Sequence, residues 1–203
     1  MENRSSNFKS LESPLEALMM EPLRALRQRL LGPFAAWLAR YGVSADMLSF
    51  AALIPALGFC VLAPLNFVLA CWLMAIALAF DGLDGVLARQ TQTSSLGGAF
   101  TDMCCDLLVL TLLLGGLVWR GTINPLLALF FLFMYIFFGM FFVLYHLLHI
   151  STPWLLRPGK SLFCLVVIVD TVFHIHLLNT LLVLYFSTLP LLGISFWRIK
   201  KSL

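Results

Sequence analysis

Four aspartates, Asp81, Asp84, Asp102 and Asp106, crowd into twenty-six consecutive positions of a chain that has only ten acidic residues in 203. Asp81, Asp84, Gly85 and Ala88 are spaced three, four and seven apart, so on a helix they share one face. Gly98, Asp102 and Asp106 repeat every four residues and share one face of a second helix. The polar stretch 89–97 between them reads as the turn of a hairpin, which lets the two acidic faces meet. Clustered carboxylates suit a hard divalent cation, Mg²⁺ or Mn²⁺. The alternative is a structural role, with the acids protonated or paired to Arg89.

The surroundings sharpen that choice. The chain is 61% apolar and 11% charged, with a mean hydropathy of +0.97, against about 45–50% and roughly 25% in soluble domains. Several stretches reach the ~20 residues that cross a bilayer as helix. An ionised side chain at the centre of such a helix costs about 2.5–3.5 kcal/mol, and four carboxylates in contact also repel one another. Bound cations relieve both problems. Counted at ~1.5 Å per residue from the 89–97 turn, Asp81 and Asp102 lie several ångströms inside the membrane boundary.

The elements that must position these acids are an all-α, polytopic set. Spans are expected near 46–63, 66–88, 98–119, 123–149, 161–178 and 180–197. Residues 1–13 are polar and expected to be disordered. Residues 14–41 are expected as an amphipathic interfacial helix, ahead of a six-span domain over 42–203. Ser13 can cap that helix, Pro14 suits its first position and Glu16 completes a capping box. Leu15, Leu18, Met19, Leu23, Leu26 and Leu30 follow at helical spacing opposite Arg24, Arg27 and Arg29, and Gly32-Pro33 interrupts the pattern before Phe34, Trp37, Leu38 and Tyr41. With the N-terminus inside, twelve of the thirteen basic residues fall on cytoplasmic segments and only Arg120 outside, a split of the positive-inside kind. Both termini and the acid cluster are therefore expected at the cytoplasmic face of a plasma or inner membrane. The five cysteines, Cys60, Cys71, Cys104, Cys105 and Cys164, lie in apolar segments without a CxxC pair and read as packing residues.

The pattern Asp81-x-x-Asp84-Gly85-x-x-Ala88-Arg89, eight residues, then Gly98-x-x-x-Asp102-x-x-x-Asp106 resembles the signature of the CDP-alcohol phosphotransferases at all eight signature positions. At the start of the first span, "GVSADMLSF" is similar to the family's frequent Pro-Asn-x-x-Thr stretch, with Ala45, Asp46 and Ser49 at those three places. The resemblance implies a metal-dependent membrane transferase of phospholipid synthesis. An acceptor hydroxyl attacks the lipid-linked phosphoryl group of a CDP-alcohol, usually CDP-diacylglycerol, and CMP leaves. It implies Asp81, Asp84, Asp102 and Asp106 as ligands of two Mg²⁺ or Mn²⁺ ions, with Asp106 also taking the acceptor's proton. Asp84, Gly85, Ala88, Arg89 and Gly98 are the implied CDP-alcohol contacts. The implied partners are that donor, a small hydroxylated acceptor and the bilayer; the resemblance admits a homodimer and calls for no nucleic acid.

The core motif does not encode the acceptor. Arg157 and Lys160, at the cytoplasmic entry to the fifth expected span, favour a phosphorylated acceptor such as glycerol 3-phosphate or an inositol phosphate, or else anchor topology. The first of these is the phosphatidylglycerophosphate synthase reaction; such enzymes tend to carry Lys after the last motif aspartate, where Leu107 stands here. An uncharged alcohol is the other acceptor class. His146 and His149 read as interfacial, and Asp170 as an internal partner of His174. Two other classes use intramembrane acids. An ion-coupled transporter would show inverted repeats and broken helices near the midplane, and an intramembrane prenyl transferase would carry acidic motifs far apart in sequence. Here the acids form one cluster on one hairpin.

Overall fold

The computed structural model describes residues 14–93, 96–148, 160–173 and 177–202. Among them every regular element is helical, as the hydrophobic patterning requires. In chain order these are α1 (Pro14–Arg40), α2 (Ala45–Ala51), α3 (Leu53–Leu62), α4 (Phe67–Gln90), α5 (Leu96–Trp119), α6 (Pro125–Leu147), α7 (Lys160–Phe173), α8 (Leu177–Tyr185) and α9 (Leu189–Ser202), with a 3₁₀ turn, Phe186–Thr188, joining the last two. The expected disordered N-terminus over 1–13 lies outside the described residues.

Five segments among the described residues are long and apolar enough to cross a membrane: Ala45–Leu62, Phe67–Gln90, Phe100–Trp119, Pro125–Tyr145 and Leu178–Lys201. The protein is an all-α, multi-pass membrane protein. The segment expected at 161–178 coincides with α7, of which 14 residues are described. Large apolar side chains point outward, as a lipid solvent permits. Trp72, Leu126 and Phe196 are examples, and Trp37, Trp119 and Trp197 stand near helix ends, where aromatic rings suit the headgroup level.

Prolines inside the helices do not end them. The interruption expected at Gly32-Pro33 is absent: α1 runs unbroken to Arg40, and Gly32 has no Cβ to crowd the ring that follows. The first span, expected over 46–63, runs from Ala45 to Leu62. α2 passes into α3 at Ala52, which keeps helical dihedrals, φ −61° and ψ −23°. Pro55 removes the N–H that would bond the Ala51 carbonyl, so one rung of the ladder is missing there.

Packing then sets the positions. Leu31 and Ala35 of α1 meet Leu48 of α2 and Leu83, Val86 and Leu87 of α4 in a small core. Gln90 Nε2 donates to the Gly32 carbonyl at 3.1 Å, fastening α1 to the end of α4. On its other face, α1 exposes Leu30, Phe34 and Trp37, and Tyr41 just past its end is exposed too. A larger core joins Phe59, Met74, Leu110, Leu113 and Phe131 from α3 to α6. Arg120, the one basic residue expected outside, donates to the Ala63 carbonyl at 3.2 Å and lies 4.0 Å above the Phe67 ring.

The α3–α5 contact depends on Gly116. A Cβ there would stand 2.9 Å from the Phe59 ring and 3.0 Å from the Cys60 Cα. Backbone on one side and a buried ring on the other leave little room to yield, so Gly116→Ala is expected to force the helices apart. The cost should be about 1–3 kcal/mol, the usual range for overpacking. Thermal unfolding of the detergent-solubilised protein checks this, and an unchanged midpoint would refute the tight crossing.

Candidate active site

The acid-bearing ends of α4 and α5 meet with α2 across them, since α2 packs against both. Helical spacing puts Asp81 and Asp84 on one stripe of α4, and Asp102 and Asp106 on one stripe of α5. The tertiary structure turns the stripes towards each other. One carboxylate oxygen from each of Asp81, Asp102 and Asp106 lies within 4.8 Å of the others. Asp81 and Asp106 are half-buried, and Asp102 is exposed.

Asp84 stands apart. It is buried, and its Oδ2 accepts a 2.7 Å hydrogen bond from Ser49 Oγ of α2. Ser49 is buried too, and its hydroxyl also lies 3.3 Å from the Ala45 carbonyl. All four aspartates line a single cleft with Ser49, Ala52, Cys105 and Val109. Three converging carboxylates with a fourth alongside are a hard, oxygen-rich donor set, and they fit a divalent cation in both charge and ligand type. Without one, the like charges on α4 and α5 oppose the approach of their helices.

The remaining signature residues lie on the same helices, closer to the α4–α5 connection. Gly85 and Ala88 are half-buried and Arg89 is exposed. A Cβ built on Gly85 would meet only Arg89 Nη1, at 3.6 Å, so the guanidinium folds back over the glycine. Gly98, half-buried, is on the first turn and a half of α5. Of the tentative acceptor residues, Arg157 lies outside the described residues. Lys160 opens α7, and its side chain lies outside the description, as do that of His146 and the residues His149, His174 and His176. Asp170 is buried on α7.

Sequence reasoning missed three contributors to the site. Ser49 is noted only as a departure from a motif, yet it bonds Asp84 from 35 residues away. Cys105, read as packing, lines the cleft, and the five cysteines are not joined in disulfides. Tyr135, buried on α6, stands within electrostatic reach of Asp106, Asp81 and Asp102. Nothing in the aromatic run around Tyr135 distinguishes it, because the signal is proximity across helices and not a spacing.

Comparison with known proteins points the same way. The model of the family described as CDP-alcohol phosphatidyltransferase matches residues 43–194. Two proteins of Helicobacter pylori, each a CDP-diacylglycerol–serine O-phosphatidyltransferase, are similar over shorter stretches. The strain 26695 protein is 46% identical over 43 residues, 21% of this chain and 18% of its own length. The strain J99 protein is 49% identical over 41 residues, 20% of this chain and 17% of its own. The matched stretch thus spans less than a fifth of either relative.

Proposed function

The chain belongs to the CDP-alcohol phosphatidyltransferase family, and we propose from that premise that it moves a phosphatidyl group from CDP-diacylglycerol, or a related CDP-alcohol, to an acceptor hydroxyl in phospholipid synthesis. The observation that carries this reading is the convergence of Asp81, Asp102 and Asp106 oxygens from two helices within 4.8 Å. Asp81, Asp84, Asp102 and Asp106 would hold the divalent cations, Mg²⁺ or Mn²⁺, two at a time. When bound, such ions neutralise the diphosphate and stabilise the attacking and leaving oxygens.

The chain's own residues do the rest. Gly85, Ala88 and Gly98 leave room for the cytidine diphosphate to lie against the helix backbones, and Arg89 meets its phosphate charge at the water boundary. Asp106 takes the proton of the acceptor hydroxyl as its oxygen attacks the lipid-linked phosphorus. The P–O bond to CMP breaks, and CMP carries off the bonding pair. The acids lie at the cytoplasmic ends of α4 and α5, where the cytidine diphosphate headgroup of the membrane-borne donor meets the water-soluble acceptor, and the two termini face the same side. On this reading, α1 lies at the interface, with Leu30, Phe34, Trp37 and Tyr41 towards lipid.

For the acceptor, Arg157 and Lys160 favour a phosphorylated alcohol, glycerol 3-phosphate first. The names of the two Helicobacter relatives favour serine instead. One experiment tests the chemistry and separates the acceptors. Purified protein is incubated with CDP-diacylglycerol, Mn²⁺ and a panel of acceptors, and CMP and the lipid formed are identified. CMP release that requires an acceptor is expected. Its failure with every acceptor, alongside Mn²⁺-dependent ion uptake into vesicles, would replace the transferase with a transporter. If a phosphate is gripped, Arg157→Gln or Lys160→Gln should raise the acceptor's KM about ten- to a hundredfold and spare donor binding, since a charge-assisted hydrogen bond is worth roughly 1.5–3 kcal/mol. Serine as the preferred acceptor, with unchanged kinetics in both variants, would leave these cations as topology anchors.

A further inference from the structure

We propose that Ser49 is a positioning residue, whose hydroxyl fixes the Asp84 carboxylate for cation binding in the cleft. This rests on the transferase reading above. Asp81, Asp102 and Asp106 sit within reach of one another. Asp84 lines the same cleft but is the buried member of the four, and a different helix holds it. The 2.7 Å separation is that of a strong hydroxyl–carboxylate bond. Occupying Oδ2 satisfies part of the buried group's demand and locks its rotamer, leaving Oδ1 as the other ligand atom.

The placement of Ser49 follows from the start of the first span. Ser44 caps α2 by accepting from the Met47 N–H at 3.2 Å. The opening turns, Ala45–Ala51, rest against both α4 and α5. Leu48 is buried beside Leu83 and Leu87, and the next residue is Ser49, directed at Asp84. The hydroxyl has one proton and two acceptors in reach, Asp84 Oδ2 and the Ala45 carbonyl. The shorter contact is to the carboxylate, so the bond to Asp84 dominates and the helix carbonyl is the secondary partner. A neutral donor suits this place. A lysine or arginine would compete with the cation for the carboxylate, whereas a hydroxyl orients it and leaves its charge to the ligand.

The test uses the full chain, purified in detergent, and reads Mn²⁺ binding directly from the electron paramagnetic resonance signal of the free ion. Ser49→Ala should weaken Mn²⁺ binding about ten- to a hundredfold, the scale of losing a hydrogen bond to a charged group. Ser49→Thr keeps the hydroxyl and should bind within about threefold of the parent. Excess Mn²⁺ should then restore the turnover of Ser49→Ala, which a mere packing defect would not allow. Parent-like Mn²⁺ binding by Ser49→Ala overturns the proposal, as does turnover that no Mn²⁺ concentration restores. Equal losses in the Ala and Thr variants, with an unchanged thermal midpoint, also overturn it, because volume and not the hydroxyl would then matter. A parent protein that transfers without binding Mn²⁺ refutes the metal-dependent reading itself, an outcome distinct from the failure of Ser49 alone.

Discussion

Asp81→Asn and Asp102→Asn should each abolish phosphatidyl transfer and strip the protein of tight Mn²⁺ binding. Each change keeps the side chain's shape and removes one negative charge from a group whose oxygens lie within 4.8 Å of its neighbours'. Two unit charges 4 Å apart interact by about 4 kcal/mol at an effective dielectric of 20, which corresponds to about a thousandfold in affinity. Among the described residues, no histidine joins the converging group to take the lost ligand's place. The parent enzyme should likewise fall silent in chelator and recover on adding Mg²⁺ or Mn²⁺. CMP release with CDP-diacylglycerol and acceptor, measured beside Mn²⁺ binding, reads both effects. Full activity in metal-free buffer would sink the mechanism whatever the variants do.

Asp106→Asn should separate proton transfer from cation holding. Asp106 belongs to the converging trio but lies one helical turn beyond Asp102 along α5, with Tyr135 of α6 in electrostatic reach. If it accepts the acceptor's proton, its loss should lower kcat by about 10²–10⁴-fold, the usual contribution of a positioned general base. Asp81, Asp84 and Asp102 remain to hold a cation, so donor affinity should stay within about threefold, under ~1 kcal/mol. Pre-steady-state turnover and equilibrium binding of the CDP donor supply the two numbers. Donor binding lost as completely as in Asp81→Asn would make Asp106 chiefly a ligand, and the base would have to be sought elsewhere.

Some of this site was open to reading before any fold was known, and some was not. Asp81 with Asp84, and Asp102 with Asp106, recur at three or four residues, which is local helix geometry and independent of the rest of the chain. The class of protein was equally legible, since apolar runs of bilayer length constrain the solvent and hence the secondary structure. So was the kind of ion that such a site would take, because an all-carboxylate set suits hard cations.

What periodicity cannot supply is the rotation of one helix about its axis relative to another. That angle comes from packing, such as the close crossing at Gly116, Phe59 and Cys60 and the clasp of Gln90 on Gly32. It decides that Asp81, Asp102 and Asp106 converge while Asp84 turns into the α2 interface. Pro33 shows the same limit. It removes a backbone donor and reads as an interruption, yet α1 passes through it. The order of residue types established the acids, their faces and the membrane around them. Only the tertiary structure could bring Ser49 to Asp84, because a contact between helices is the joint result of many packed surfaces and belongs to no single segment.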